Sequence, residues 1–237
     1  MLHQETVETG TLALIKKLSS DPKLKDFVLV GGTALALRLG HRRSVDIDLF
    51  SAFNFDPFAI ASHVDTIYHA KETTVVGKGA VYTLLEGIKT DFLSHNYPWI
   101  KLPENIEDIR MASLEDIGAM KIHAIVNSGT RLKDYIDVYH LLELNGLEQI
   151  IAGYLNKYPE ANASVAKNAL IYHNEIDFLK AIDLTNPDLA LKDVTKRLRE
   201  AVAEPKRIFQ PKQTLDSDNK TNQTVKLNKS LKKRKRL

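Results

Sequence analysis

Residues Val45-Asp46-Ile47-Asp48-Leu49-Phe50 alternate apolar and acidic side chains. Successive side chains of a β-strand project to opposite faces. The pattern therefore predicts a strand with Ile47 and Leu49 in a core and Asp46 and Asp48 side by side on the other face. Two like charges held together repel unless a cation neutralises them, and hard carboxylate oxygens suit Mg²⁺. Alone, Asp-x-Asp describes an exposed strand equally well, so its meaning depends on its neighbours.

Two neighbours bear on it. The apolar run Phe27-Val28-Leu29-Val30 ends at Gly31-Gly32-Thr33, and Thr33 suits the N-cap of a helix from Ala34 to Leu39, stopped by Gly40. Such a helix start offers unpaired N–H groups and a positive dipole end to phosphate, and its glycines admit close approach. Asp91, within Ile88-Lys89-Thr90-Asp91-Phe92-Leu93, is a third strand-borne acid. Each feature singly reads as an ordinary turn or edge acid. Together they supply what a two-metal phosphoryl transfer requires: metal-holding carboxylates, a phosphate cradle and a group to activate the nucleophile.

Around this set the periodicity predicts a helix over Val7–Leu18, a helix opened by Asp56-Pro57 and a hairpin of strands Ala80–Leu85 and Ile88–Ser94 turning at Glu86-Gly87. Beyond a loop at Tyr97–Pro103 only helical signals remain. A capping box at Ser113–Asp116 opens a helix through Lys121 to about Val126, and Gly129-Thr130 opens another. Further helices fit about Ile150–Tyr158, Ala161–Tyr172 and Pro187–Val202. Asp134 and Asp137 lie one turn apart on the second of these helices, within reach of Lys121 and Lys133.

Charge divides the chain in the same direction. Residues 205–237 hold 11 of the 33 Lys and Arg with two acids, a net of +9, and leave 1–204 at −6. The end is therefore expected to be a disordered basic tail on a mildly acidic body. Zero cysteines exclude disulfides, thiol catalysis and Cys-based metal sites. The eight histidines show no ligand spacing. No Walker A loop, Gly-x-Ser-x-Gly elbow or His-Glu-x-x-His is present, and Gly77-Lys78-Gly79 lacks a third glycine. No secretory signal is visible, and the apolar stretch Phe27–Leu37 falls short of the ~20 residues of a membrane span. A soluble, cytoplasmic protein is expected.

Val30-Gly31-Gly32, thirteen residues, then Asp46-Ile47-Asp48-Leu49 resembles the first motif of the DNA polymerase β-type nucleotidyltransferases. The longer text Val28–Leu37 and Arg43–Phe50 is most similar to the AbiEii/AbiGii toxin branch. Glu86–His95 resembles its third-aspartate strand, and Lys121-Ile-His-Ala-Ile125 and Lys133–Tyr139 its helical motifs. The resemblance implies an α+β fold: a polymerase β-like mixed-sheet domain at 1–110, an α-helical domain at 111–204 and the basic tail at 205–237. It implies that Asp46, Asp48 and Asp91 hold two Mg²⁺ ions and act catalytically. Nucleotide contacts fall to Gly31, Gly32, Thr33, Arg43, Lys121, Lys133, Asp134 and Asp137. The family's arginine shortly after the helical lysine falls at Asn127-Ser128-Gly129, with Arg131 beyond. It further implies an NTP substrate, a tRNA acceptor that the tail could tether, and a separately encoded antitoxin in a type IV-like or phage-defence pair. Two alternatives stay open: a small-molecule (aminoglycoside-type) nucleotidyltransferase, marked by an acidic acceptor pocket, and a non-catalytic nucleotide- or RNA-binding module.

Overall fold

The structure, a computed structural model, describes residues 1–177 and 181–213. Along the chain come α1 (Thr9–Ser20), β1 (Val28–Leu29), α2 (Gly31–Leu39), β2 (Ile47–Ser51), α3 (Pro57–Tyr68), β3 (Lys71–Val76), β4 (Ala80–Leu85), β5 (Ile88–Ser94), β6 (Glu104–Ile106) and β7 (Ile109–Met111). The helices α4 (Leu114–Asn127), α5 (Leu132–Leu141), α6 (Leu147–Lys157), α7 (Ala163–Ile171) and α8 (Leu191–Ala203) follow. The strands form one mixed sheet in the order β3-β4-β5-β2-β1-β7-β6.

β2 obeys its alternation: Ile47 and Leu49 are buried while Asp48 and Phe50 stay partly open. It runs antiparallel to β1 and parallel to β5, with Asp48 directly opposite Asp91 and Phe50 opposite Leu93. A parallel pair needs a long crossover, and α3 with the β3–β4 hairpin provides it. Asp56 caps α3 by accepting from the Phe58 and Ala59 N–H groups. The predicted β4–β5 hairpin turns at Glu86 and Gly87, both with positive φ (52° and 82°), as a primed turn requires.

Three strands have no counterpart in the periodicity. β3 is an almost wholly exposed strand on the sheet edge, so it carries no apolar alternation. β6 and β7 have three residues each around Glu107-Asp108, too short to show a period. The predicted N-cap at Thr33 is corrected as well. Val30 occupies that position, Gly31 takes a left-handed φ of 70°, and Thr33 sits inside the first turn.

A single buried cluster reaches from Leu14 to Phe209, so the sheet half and the helical half share one core. α2 joins them, lying on β2 and against α4 and α5. The chain stays packed on the body past residue 205, where the sequence predicts a tail. Phe209 is buried with its N–H on the Leu142 carbonyl, and Arg197 donates to the Gln210 carbonyl while stacking 3.5 Å from the Tyr139 ring. Residues 214–237, most of that tail, lie outside the described residues. Among the described residues no helix is long and apolar enough to cross a membrane.

The loop after β5 is held by a buried ion pair. Lys157 Nζ lies 2.8 Å from Asp116 Oδ1 and donates to the Pro98 carbonyl, and Asp116 also accepts from the Ile100 and Lys101 N–H groups. Removing one member of a buried pair strands the other. Asp116→Asn should therefore cost about 3–5 kcal/mol, read as a lower urea midpoint with an unchanged slope. No shift in midpoint would refute the strut.

Candidate active site

The glycines at the start of α2 are dictated by what lies against them. A β-carbon at Gly31 would collide with Asp48 Oδ2, and one at Gly32 with the Arg42 guanidinium. Asp48 is therefore seated on the helix start, where the N–H groups of the first turn lack carbonyl partners within the helix. Val30 N–H donates to the Asp48 carbonyl at 2.9 Å, which fixes β2 beside this turn. Thr33 faces inward: its hydroxyl donates to the Ser44 hydroxyl and the Asp46 carbonyl, so it shapes the acidic segment from behind.

Behind the turn runs a chain of buried charges. Asp137 accepts from Arg42 through two bonds of 2.7 and 3.1 Å, from His41 Nε2 at 2.8 Å, and pairs with Lys121 Nζ at 2.6 Å. Lys121 also donates to Asp134 at 2.8 Å, and Arg131 Nε donates to the other Asp134 oxygen at 2.7 Å. Burial would raise the Asp137 carboxyl, but the Lys121 ammonium and Arg42 guanidinium hold it well below the usual range. Burial likewise works against the Lys121 ammonium, which Asp137 and Asp134 keep protonated.

Asp46, Asp48, Asp91, Gly31, Gly32, Lys121, Lys133 and Asp134 line one cavity of about 460 Å³ between the sheet and the helices α4 and α5. Three expected site residues are elsewhere. Thr33 and Asp137 are buried behind the wall. Arg43 is exposed, 3.7 Å from Asp183, in an adjoining cleft that shares Asp46 and Lys133 with the cavity. Arg131, beyond the family's usual arginine position, does line the cavity. Sequence reasoning missed Lys89, whose Nζ is 2.7 Å from Asp91 Oδ2. It also missed an aromatic wall formed by Phe50, Tyr82, His95, Tyr97, His123 and Tyr158. Strand alternation held the signal for two of these, since Phe50 shares the face of Asp46 and Asp48, and His95 that of Asp91.

The carboxylates suit a divalent cation. Burial raises the Asp48 carboxyl; Lys121 counters this, and Asp91 and Asp46 add to it. Asp91 Oδ1 is buried without a hydrogen-bond partner. Lys89 meets the other Asp91 oxygen, and Lys133 approaches Asp46 at 3.9 Å. As placed, no three His, Asp or Glu side chains among the described residues already form a ligand cluster. A hard cation would draw on Asp46, Asp48 and the free Asp91 oxygen, the donor set expected for Mg²⁺.

A mixed sheet carrying paired acids beside a Gly-Gly helix start, backed by a helical half, is the architecture of nucleotidyltransferases. JHP933 of Helicobacter pylori superposes with a TM-score of 0.53 at 18% identity, over 97% of this chain and 96% of its own. The nucleotidyltransferase toxin MenT4 of Mycobacterium tuberculosis does so at 0.55 and 14%, over 89% and 85%. An uncharacterized protein of Aquifex aeolicus is 33% identical over 173 residues, 68% of this chain and 80% of its own. Residues 13–207 match the family described as nucleotidyl transferase AbiEii toxin of type IV toxin–antitoxin systems, and the chain belongs to that family. It is thus a nucleotidyltransferase of a toxin class, which implies an antitoxin partner.

Because the Asp137 carboxyl is held below its unfolded value, its stabilisation is complete above the unfolded pKa of about 3.9 and is lost as pH falls through the folded value. Asp137→Asn should cost about 3–5 kcal/mol at pH 7. The gap to the unmodified protein should narrow in urea melts below pH 4. A gap that stays constant with pH would contradict the assignment.

Proposed function

We propose that the protein transfers a nucleotide from an NTP to an RNA acceptor of the tRNA class, with Mg²⁺, as the toxin of a type IV or phage-defence pair acting in the cytoplasm. One observation carries this reading: Asp48 and Asp91 are direct register partners on adjacent parallel strands, with Asp48 packed on the Gly31-Gly32 turn and all of them lining one cavity. A pure binding module has no use for three carboxylates lining one cavity beside a phosphate-sized helix start.

The residues divide the work. The first turn of α2 receives the phosphates, with Lys133 and Arg131 on the same wall. Lys121 adds a fixed positive charge, held in place by Asp134 and Asp137. Asp46, Asp48 and Asp91 would hold Mg²⁺, which supplies charge neutralisation at the α-phosphate and a more acidic acceptor hydroxyl. Asp91 would also take the hydroxyl proton as the acceptor attacks. The acceptor oxygen bonds to the α-phosphorus, the bond to the β-phosphate oxygen breaks, and pyrophosphate leaves. Arg42, Asp137 and His41 are positioning residues that hold the helix start against α5.

The cleft beyond Asp46 and Lys133 is the acceptor's approach. Its walls carry Glu5, Glu8 and Asp183 beside Arg42 and Arg43, and a cationic small acceptor of the aminoglycoside type meeting those acids is the second reading. The +9 end of the sequence supports RNA instead.

Incubation with Mg²⁺, each labelled NTP and total tRNA separates the readings. Label should enter tRNA with at least one NTP. Asp48→Asn should abolish it and Asp91→Asn should lower it by about 10²–10⁴-fold, with both variants folded. Label in a cationic small molecule alone would favour the second reading, and unchanged transfer in Asp48→Asn would refute the site.

A further inference from the structure

The cavity has two chemically distinct ends. Around Asp48, Asp91, Lys121 and Lys133 it is charged. Beyond them, along the same strand faces, it is aromatic. Phe50 lies two residues, about 6.6 Å, past Asp48, and His95 lies four residues past Asp91. The rings are already ordered against one another. Phe50 and His95 have centroids 5.2 Å apart, Tyr97 meets the Tyr158 ring edge-on at 4.7 Å, and His123 stacks on Tyr158 at 4.0 Å with 7° between planes. Tyr158 is pinned by its hydroxyl, 3.1 Å from His95 Nε2. Phe50, His95, Tyr97 and His123 remain partly open.

This end carries no charge at neutral pH. Burial pushes the His95 imidazole down to about 4, with Lys157 and His123 adding to the effect, and burial also lowers His123. His123 Nδ1 is buried without a hydrogen-bond partner. An uncharged set of rings with an unused imidazole nitrogen repays neither phosphate nor a cation with a counter-charge. It matches a flat heterocycle that stacks and offers a polar edge.

We infer that the aromatic end is a nucleobase subsite, with the base of the incoming NTP held on the open rings of Phe50, His95 and Tyr97 and its edge toward His123. One ribose then spans from the base to an α-phosphate lying over Asp48 and Asp91. This rests on the nucleotidyl-transfer reading and deepens it: the enzyme selects a nucleoside triphosphate by its base, at the end of the cavity away from the cleft beyond Asp46.

Calorimetric titration of the full chain in Mg²⁺, with each NTP and with inorganic tripolyphosphate, tests it. The unmodified protein should bind at least one NTP more tightly than tripolyphosphate. Tyr97→Ala and Phe50→Ala should each raise the Kd for that NTP about 5- to 150-fold, the equivalent of ~1–3 kcal/mol for a stacked base. Tripolyphosphate affinity should not change, and Tyr97→Phe should keep NTP affinity. Equal affinities for NTP and tripolyphosphate in the unmodified protein would overturn the subsite. So would alanine variants that leave NTP binding intact or that weaken both ligands alike. Those outcomes leave the transfer reading standing, whereas an unmodified protein that binds neither ligand would overturn both.

Discussion

The mouth of the cavity depends on one buried carboxylate. Asp137, on α5, is met by His41 Nε2, two nitrogens of Arg42 and Lys121 Nζ. Buried ion pairs are weak evidence for stability, because desolvation offsets much of the attraction. Their value here is positional. Arg42 presses on Gly32 and Lys121 projects from α4, so Asp137 sets the distance between the glycine-bearing start of α2 and the helical wall opposite. The carboxylate itself never reaches the cavity.

The front of the site has the opposite electrostatic character. Asp48 and Asp91 are register partners on one sheet face with Asp46 just before the strand, and ammonium groups from Lys89 and Lys133 approach them without satisfying every oxygen. Such an arrangement disfavours the folded state and favours any divalent cation that replaces the lysines. The paired charges behind the wall fix the geometry in which the unsatisfied charges in front of it are held together.

Local patterns in the sequence located the acids but could not assemble them. The acidic–apolar alternation, the Gly31-Gly32 turn and the Glu86-Gly87 hairpin are short-range signals and appear in the structure, although β2 begins only at Ile47, so Asp46 precedes the strand and Val45 is exposed. The Asp48–Asp91 register comes from a parallel pairing of strands about forty residues apart, which no local period encodes. Arg42 and Arg43 are adjacent and chemically alike, yet one is buried against Asp137 and the other is exposed; only the packing of α2 on α5 separates them. Asp134 and Asp137 both face inward one turn apart, but only the first reaches the cavity wall. The aromatic wall draws on β2, β4, the loop after β5, α4 and the end of α6, so its residues have no shared sequence spacing. The polar composition after residue 205 concealed Phe209, whose burial extends the folded body.

The proposed reaction requires Asp46, Asp48 and Asp91 to act together as the cation-holding face of the cavity. Free Mn²⁺ gives an electron paramagnetic resonance signal that disappears on binding, and a non-hydrolysable NTP analogue prevents turnover. In its presence the unmodified chain should take up about two Mn²⁺ per chain. The triple variant Asp46→Asn, Asp48→Asn, Asp91→Asn should leave that Mn²⁺ free while remaining folded. Equal uptake by the triple variant would contradict the account.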